Sequence, residues 1–205
     1  METQYFDINE IGLDEAGRGP LIGRVYAGAV IWDPTKKNDI INDSKKLTAK
    51  KRQVALKWIK ENVSAWGVGF AEPSEIDSIN ILEATKLAMD RAISNLKTKF
   101  PKYKDTNNFI IDGCYWEKKF PEYNVKSIVK GDSKYLSIAS ASIIAKEYHD
   151  EHIHQLCLDN NDLNIKYDLE NNMGYGTKKH LIGLENYGPS MFHRKTFKRC
   201  EEKEI

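Results

Sequence analysis

Residues 24–32, RVYAGAVIW, are apolar in both alternating registers once Arg24 is passed. That is the pattern of a strand covered on both faces, and a chain that holds one must supply helices for each side of a sheet. Thr48 is a candidate N-cap for a helix AKKRQVALKWIKEN (49–62), with Ala55, Trp58 and Ile59 turned inward. SAWGVGFA (64–71) reads as another strand, and Ile81, Ala84, Ala88 and Ala92 recur at helical spacing through about Lys97. NFIIDG (108–113) and VKSIVKGD (125–132) read as two further strands. A long helix is expected from Ser137, where Ala139, Ser140, Ala141 and Ser142 permit close packing. The alternation points to an α/β fold, a sheet with helices on both faces. Past Leu158 the pattern weakens until KKHLIGLENY (178–187), a short helix.

Acids stand where these strands end. Asp14 and Glu15 follow Ile11 and Leu13, Asp112 ends FIID, and Asp132 lies just past SIVKG. The carboxyl ends of strands are where open α/β sheets place their ligands. Four carboxylates meeting there would repel one another and call for divalent cations. Oxygen ligands without paired His or Cys favour Mg²⁺ or Mn²⁺ over Zn²⁺, and two such ions are the usual apparatus for attack of water on a phosphodiester. Each acid taken singly also reads as a turn residue or a helix cap. Gly17-Arg18-Gly19 lets backbone amides approach a ligand closely. No Gly-Lys-Ser/Thr follows, so it is not a P-loop, and an ordinary tight turn is its alternative.

Composition narrows the setting. A chain of 205 residues suits one domain, and a net charge of +1 offers no global basic field, so nucleic acid would have to bind a local patch. Cys114, Cys157 and Cys200 are odd in number and far apart, which argues for a reducing compartment. No run reaches membrane-spanning length and the start shows no signal-peptide pattern, so a cytoplasmic protein is expected.

DEAGRGP, DSKKL (43–47), IIDG (110–113), KGDSKYLSIASASIIAKEYHD (130–150) and GYGTKKH…YGPSMFHRKTF (174–197), in that order, resemble ribonuclease HII, the type 2 ribonucleases H. The resemblance implies the ribonuclease H fold, a five-stranded mixed sheet flanked by helices with a helical C-terminal portion. It divides a single catalytic domain, 1–205, into a core of about 10–158 and a substrate-binding portion of about 159–205. It implies hydrolysis of the RNA strand of RNA–DNA hybrids. It also implies nicking 5′ of single ribonucleotides in duplex DNA, leaving 3′-hydroxyl and 5′-phosphate ends, with two divalent cations, Mg²⁺ or Mn²⁺. Asp14, Glu15, Asp112 and Asp132 match the catalytic, metal-binding acids. Gly17, Arg18 and Gly19 match the loop that reads the 2′-hydroxyl and grips the neighbouring phosphate. Tyr175 matches the tyrosine that packs on the next deoxyribose, and Lys45 and Lys46 gain a role at the substrate backbone beside that of a solvated helix face. The arginine in the loop favours HII over HIII, as does the lack of an extra N-terminal domain. The chain departs from the family at Arg24, at Met173, at SIASAS and at Tyr148-His149.

Other features leave two readings open. His180, His193, Arg194, Lys195, Lys198 and Arg199, with Tyr187 and Phe192, form either a phosphate-binding surface or a segment capping the core. His149, His152 and His154 read as a surface helix rather than a metal site, and Cys114 as a small apolar filler. A monomer is expected, and the tail RCEEKEI lacks the aromatic pair of a sliding-clamp peptide. The competing functions are a non-catalytic hybrid-binding protein and another metal-dependent nuclease of the fold superfamily, a junction resolvase or an integrase.

Overall fold

The computed structural model describes every residue except 7, 39, 43 and 201–205. Two expected features fall partly outside these residues: the first position of DSKKL and most of the C-terminal tail. The described residues form a five-stranded sheet in the order β3-β2-β1-β4-β5. Its strands are β1 (Ile11–Ala16), β2 (Val25–Ile31), β3 (Ala65–Ala71), β4 (Asn108–Asp112) and β5 (Asn124–Ile128). β1, β2 and β3 pair antiparallel, whereas β4 and β5 run parallel to β1. This is the mixed sheet expected.

Helix α1 (Ala49–Asn62) and helix α3 (Leu136–Asp159) cover one face, and α2 (Pro73–Lys99) covers the other. Thr48 caps α1 through its side chain, which accepts from the Lys51 amide. The two faces of β2 separate by parity. Val25, Ala27, Ala29 and Ile31 join Ala84, Ala88, Ala92 and Leu96 of α2, while Val30 joins Ala55, Ile59, Ile143 and Ile144. Glycines set how closely the helices lie. A Cβ at Gly28 would collide with the Ala141 carbonyl, and one at Gly12 would lie 2.5 Å from the Ser137 hydroxyl. The small residues of SIASAS are the other half of that contact.

Three elements differ from expectation. α2 begins at Pro73 rather than near Ile81, with its path broken at Asn80 (φ 68°, ψ 164°). β5 stops at Ile128, and Asp132 sits instead on a 3₁₀ turn, Gly131–Ser133, that leads into α3. The weak stretch past Leu158 forms two short helices, α4 (Asn161–Tyr167) and α5 (Leu169–Asn172), before α6 (Lys178–Tyr187). Their buried residues, Leu163, Tyr167 and Leu169, pack on Ile22 and on Ile153, Leu156 and Cys157 near the end of α3. No helix among the described residues is long and apolar enough to cross a membrane.

Candidate active site

β1 carries Asp14 into the protein by strand alternation. Ile11 and Leu13 face α2, so Gly12 and Asp14 face α3. A one-residue slip would free Asp14 only by turning Ile11 and Leu13 off their core, at about 1.5–3 kcal/mol for each buried aliphatic side chain. Asp14 is therefore held 5% exposed. Asp112 ends the neighbouring parallel strand, and its Oδ1 accepts from the Gly131 amide at 2.6 Å. That bond ties the turn carrying Asp132 to the end of β4. Asp14, Asp112 and Asp132 each place a carboxylate oxygen within 4.8 Å of the other two.

Such a group is electrostatically unstable alone. Burial, joined by Glu15 and Asp112, raises Asp14 well above the usual carboxylate range. Burial also raises Asp112, Asp132 adds to the rise, and the Gly131 amide and Lys45 oppose it. Lys45 Nζ donates to Asp132 at 2.9 Å while its side chain is largely exposed. The donors are all carboxylate oxygens, which suits a hard divalent cation.

Glu15 does not join these three. It projects toward the α2 side, where Arg18 Nη1 donates to its Oε1 at 3.1 Å. Its buried Oε2 finds no hydrogen-bond partner among the described residues. Burial raises Glu15 against the pull of Arg18. Glu15 and Asp14 nonetheless border one cleft of about 510 Å³, together with Asp112, Gly17, Arg18, Gly19, Lys45 and Tyr175. All the expected site residues except Asp132 and Lys46 line this space. Asp132 lies against it through Lys45.

The Gly17–Gly19 turn has Gly17 at φ 87°. A Cβ there would meet the ring of His149, and one at Gly19 would come 3.1 Å from the Tyr175 ring. Gly17 therefore supplies a left-handed backbone, and both glycines leave room for the rings packed against them.

Sequence reasoning passed over Ser44, Arg52, Ser142 and Lys146, which also line the cleft. Ser142 hydrogen-bonds Asp14 and lies 2.9 Å from the Ser44 hydroxyl. Arg52 joins Glu147 at 2.7 Å and Asp150 at 3.3 Å. The i, i+4 spacing of Ser142 and Lys146 after Asp132 was a usable signal; Arg52 carries none.

Several single-residue expectations are overturned. His149 is fully buried with Nδ1 3.0 Å from Asp150, and His152 is half-buried beside Tyr26; His154 alone is at the surface. Cys114 is exposed, so it fills no core. The C-terminal cluster divides: His180, His193 and Arg194 are buried, while Lys195, Lys198, Arg199 and Tyr187 are exposed. The departure at Arg24 is accommodated by Glu72, 2.7 Å away, and by the Phe70 ring, 4.1 Å from the guanidinium.

The acids also predict a linkage. A carboxyl with a raised folded pKa stabilises fully only below its unfolded value of about 4, and that stability is lost as pH rises through the folded value. A cation that binds the ionised group in the folded state recovers it. The melting-temperature gain from Mg²⁺ over chelator is expected to be near zero at pH 4 and to grow toward neutrality. A gain independent of pH would contradict the assignment.

A ribonuclease HII family model matches residues 11–200. The chain is 44% identical over 196 residues to ribonuclease HII of Bacteroides fragilis, covering 93% of this chain and 90% of the relative. Its fold matches ribonuclease H2 from Pyrococcus horikoshii at a TM-score of 0.73 and 24% identity, over 94% and 95% of the two chains. It also matches Bst-RNase HIII in complex with Mn²⁺ at a TM-score of 0.67 and 18% identity, over 87% and 70%. A buried carboxylate cluster at the ends of β1 and β4, and similarity along nearly the whole chain, agree: the protein belongs to the ribonuclease HII family and is a type 2 ribonuclease H, an endonuclease.

Proposed function

We propose that this cleft hydrolyses the RNA strand of RNA–DNA hybrids and nicks duplex DNA on the 5′ side of a single embedded ribonucleotide, leaving 3′-hydroxyl and 5′-phosphate ends. The supporting observation is one cleft that joins the carboxylate cluster to the Gly17–Gly19 loop and the half-exposed Tyr175. Asp14, Asp112 and Asp132 hold two divalent cations, Mg²⁺ or Mn²⁺, with Glu15 completing the set; the resemblance to a Mn²⁺-bound HIII structure supports that choice. When bound, the cations supply Lewis acidity to the scissile phosphate and lower the pKa of attacking water.

The protein's own groups orient the substrate. Amides of the Gly17–Gly19 loop approach the 2′-hydroxyl, Arg18 grips the adjoining phosphate, and Tyr175 packs on the deoxyribose that follows. Arg18 is also the partner of Glu15, so substrate that draws Arg18 away frees a carboxylate beside the cluster. Lys45 and Lys46 contact the nucleic-acid backbone, and the C-terminal portion, about 159–205, belongs to the same catalytic domain as the core.

The deciding assay compares an all-DNA duplex with the same duplex carrying one ribonucleotide. Cleavage only of the second, abolished by chelator and restored by Mg²⁺ or Mn²⁺, is expected. Cleavage of both duplexes would favour a resolvase- or integrase-like nuclease, and binding without cleavage at any metal concentration a non-catalytic protein.

Lys45 and Lys46 make separate predictions. Lys46→Ala should lower the slope of log affinity against log salt by about one unit, the signature of one lost phosphate contact. Lys45→Ala should do the same and also lower turnover, because Lys45 is held on Asp132. An unchanged slope would return either lysine to the solvated face.

A further inference from the structure

Arg194 is fully buried and no carboxylate pairs with it among the described residues. Its guanidinium is instead satisfied by backbone. Nε donates to Gly23 O (2.9 Å), Nη1 to Arg18 O (3.1 Å) and Pro20 O (2.7 Å), and Nη2 to Gly17 O (2.6 Å) and Arg24 O (3.0 Å). Five N–H groups thus meet five carbonyls, the full donor capacity of an arginine. Every one of those carbonyls belongs to the stretch between β1 and β2. Burial draws the guanidinium down to about 10, which leaves it charged at neutral pH.

Turning the carbonyls inward fixes the other side of the chain. The amides of Arg18 and Gly19, each anti to one of these carbonyls across its trans peptide, have no hydrogen-bond partner among the described residues, and both residues line the cleft. Successive free amides of this kind form a concavity that donates to oxygen. The same C-terminal segment anchors the opposite wall. The Tyr175 carbonyl can only accept, so the His180 Nδ1 that lies 3.0 Å away carries hydrogen and its Nε2 accepts from His193 Nε2, also at 3.0 Å. His193 Nδ1 then accepts from the Ser190 amide at 2.9 Å. Residues 190–194 therefore set both the loop and the backbone of Tyr175.

We infer that Arg194 is a positioning residue for ribose recognition, organising the Gly17–Arg24 backbone from behind so that its free amides face the substrate. The inference rests on the reading of the Gly17–Gly19 loop as the 2′-hydroxyl reader. The arginine itself touches no substrate.

The test is Arg194→Lys, which keeps the charge but offers three donors on a flexible stem in place of a rigid five-donor fork. Binding is measured in Ca²⁺ to a duplex with one ribonucleotide and to the all-DNA duplex. The variant is expected to lose at least tenfold of the preference for the ribonucleotide. Its affinity for all-DNA duplex should stay within twofold of wild type, and its Mg²⁺-induced melting shift should be unchanged. An unchanged preference in the folded variant, or an equal fall in both affinities, would overturn the role of Arg194. A wild type without preference would instead strike down the loop reading beneath it. Should the variant not fold, NMR order parameters of the intact protein decide. Values near 0.85 at Gly17–Gly19, like those of strands, are expected, and values below about 0.6 would overturn the proposal.

Discussion

Asp14→Asn is expected to lower turnover by roughly three orders of magnitude or more, about 4 kcal/mol of transition-state stabilisation, while raising the melting temperature of the metal-free protein at neutral pH. The two effects have one cause. Asp14 is 5% exposed, and burial with Glu15 and Asp112 nearby raises its pKa. Its ionised form is therefore a burden until a cation arrives. Asparagine keeps the shape and removes the charge, so the folded protein loses a repulsion and the cluster loses a ligand. The melting-temperature difference between variant and wild type should be small near pH 4, where the wild-type acid is protonated, and should widen toward pH 7. Contributions of opposite sign, such as Glu75 held down to about 2 by Arg91, cancel in that difference. Asp132→Asn should lose comparable turnover. Full activity in either folded variant over a range of Mg²⁺ concentrations would refute the catalytic assignment. A metal-free Asp14→Asn protein that melts lower at pH 7 than at pH 4 relative to wild type would refute the buried-charge account of Asp14.

What the sequence revealed was mostly local. RVYAGAVIW reads as doubly covered because its two registers are both apolar, and the structure buries all of β2. Asp14 and Asp112 were legible because strand ends are marked by the residues on either side of them. Asp132 was found for a partly mistaken reason. Lys130 takes a left-handed conformation (φ 57°) and Gly131 is packed against Ile138, so the chain leaves the sheet at Ile128 and the acid sits on a turn. Its place just past the strand and beside Asp112 is as expected.

The failures share a physical origin in long-range burial. Arg194 looks like part of a basic tail because five carbonyls 170 or more residues earlier in the chain are invisible to any local pattern. His149 was expected on a surface helix, yet it is fully buried. The absent side chain of Gly17 is what makes room for its ring. Cys114 was given a core role because it adjoins Asp112, yet the turn at Gly113 (φ 98°) carries the chain outward there. Glu15 shows the same limit in reverse. Adjacency to Asp14 placed Glu15 on the same cleft, but adjacent strand residues face opposite sides of a sheet, so its carboxylate stands apart from the three aspartates here. The partner Glu15 finds in this structure is Arg18.

Tyr175 carries the prediction that tests whether the proposed action at a lone ribonucleotide is separable from cutting of any hybrid. Nicking at a lone ribonucleotide requires a reader for the deoxyribose that follows it, which has no polar handle at the 2′ carbon. A flat ring with a polar tip is suited to that sugar. The Tyr175 side chain lines the cleft, is 43% exposed, and lies close against Gly19 of the loop. Its backbone is secured independently, since its amide donates to Asn172 O and its carbonyl accepts from His180. Removing the ring therefore leaves the local chain anchored, and Tyr175→Ala should cost little melting temperature. Burying a side chain of this size against the sugar contributes about 1.5–3 kcal/mol. Cleavage at a single ribonucleotide should accordingly fall by roughly ten- to a hundredfold in Tyr175→Ala. Tyr175→Phe should retain most of it, because the ring remains. A continuous RNA–DNA hybrid offers a ribose in that position and should be cut by Tyr175→Ala with a smaller loss. Both variants are to be assayed on both substrates, with thermal melts alongside. Equal losses on the two substrates together with a large drop in melting temperature would make Tyr175 a packing residue of the Gly174–Gly176 turn, and the junction reading would fall.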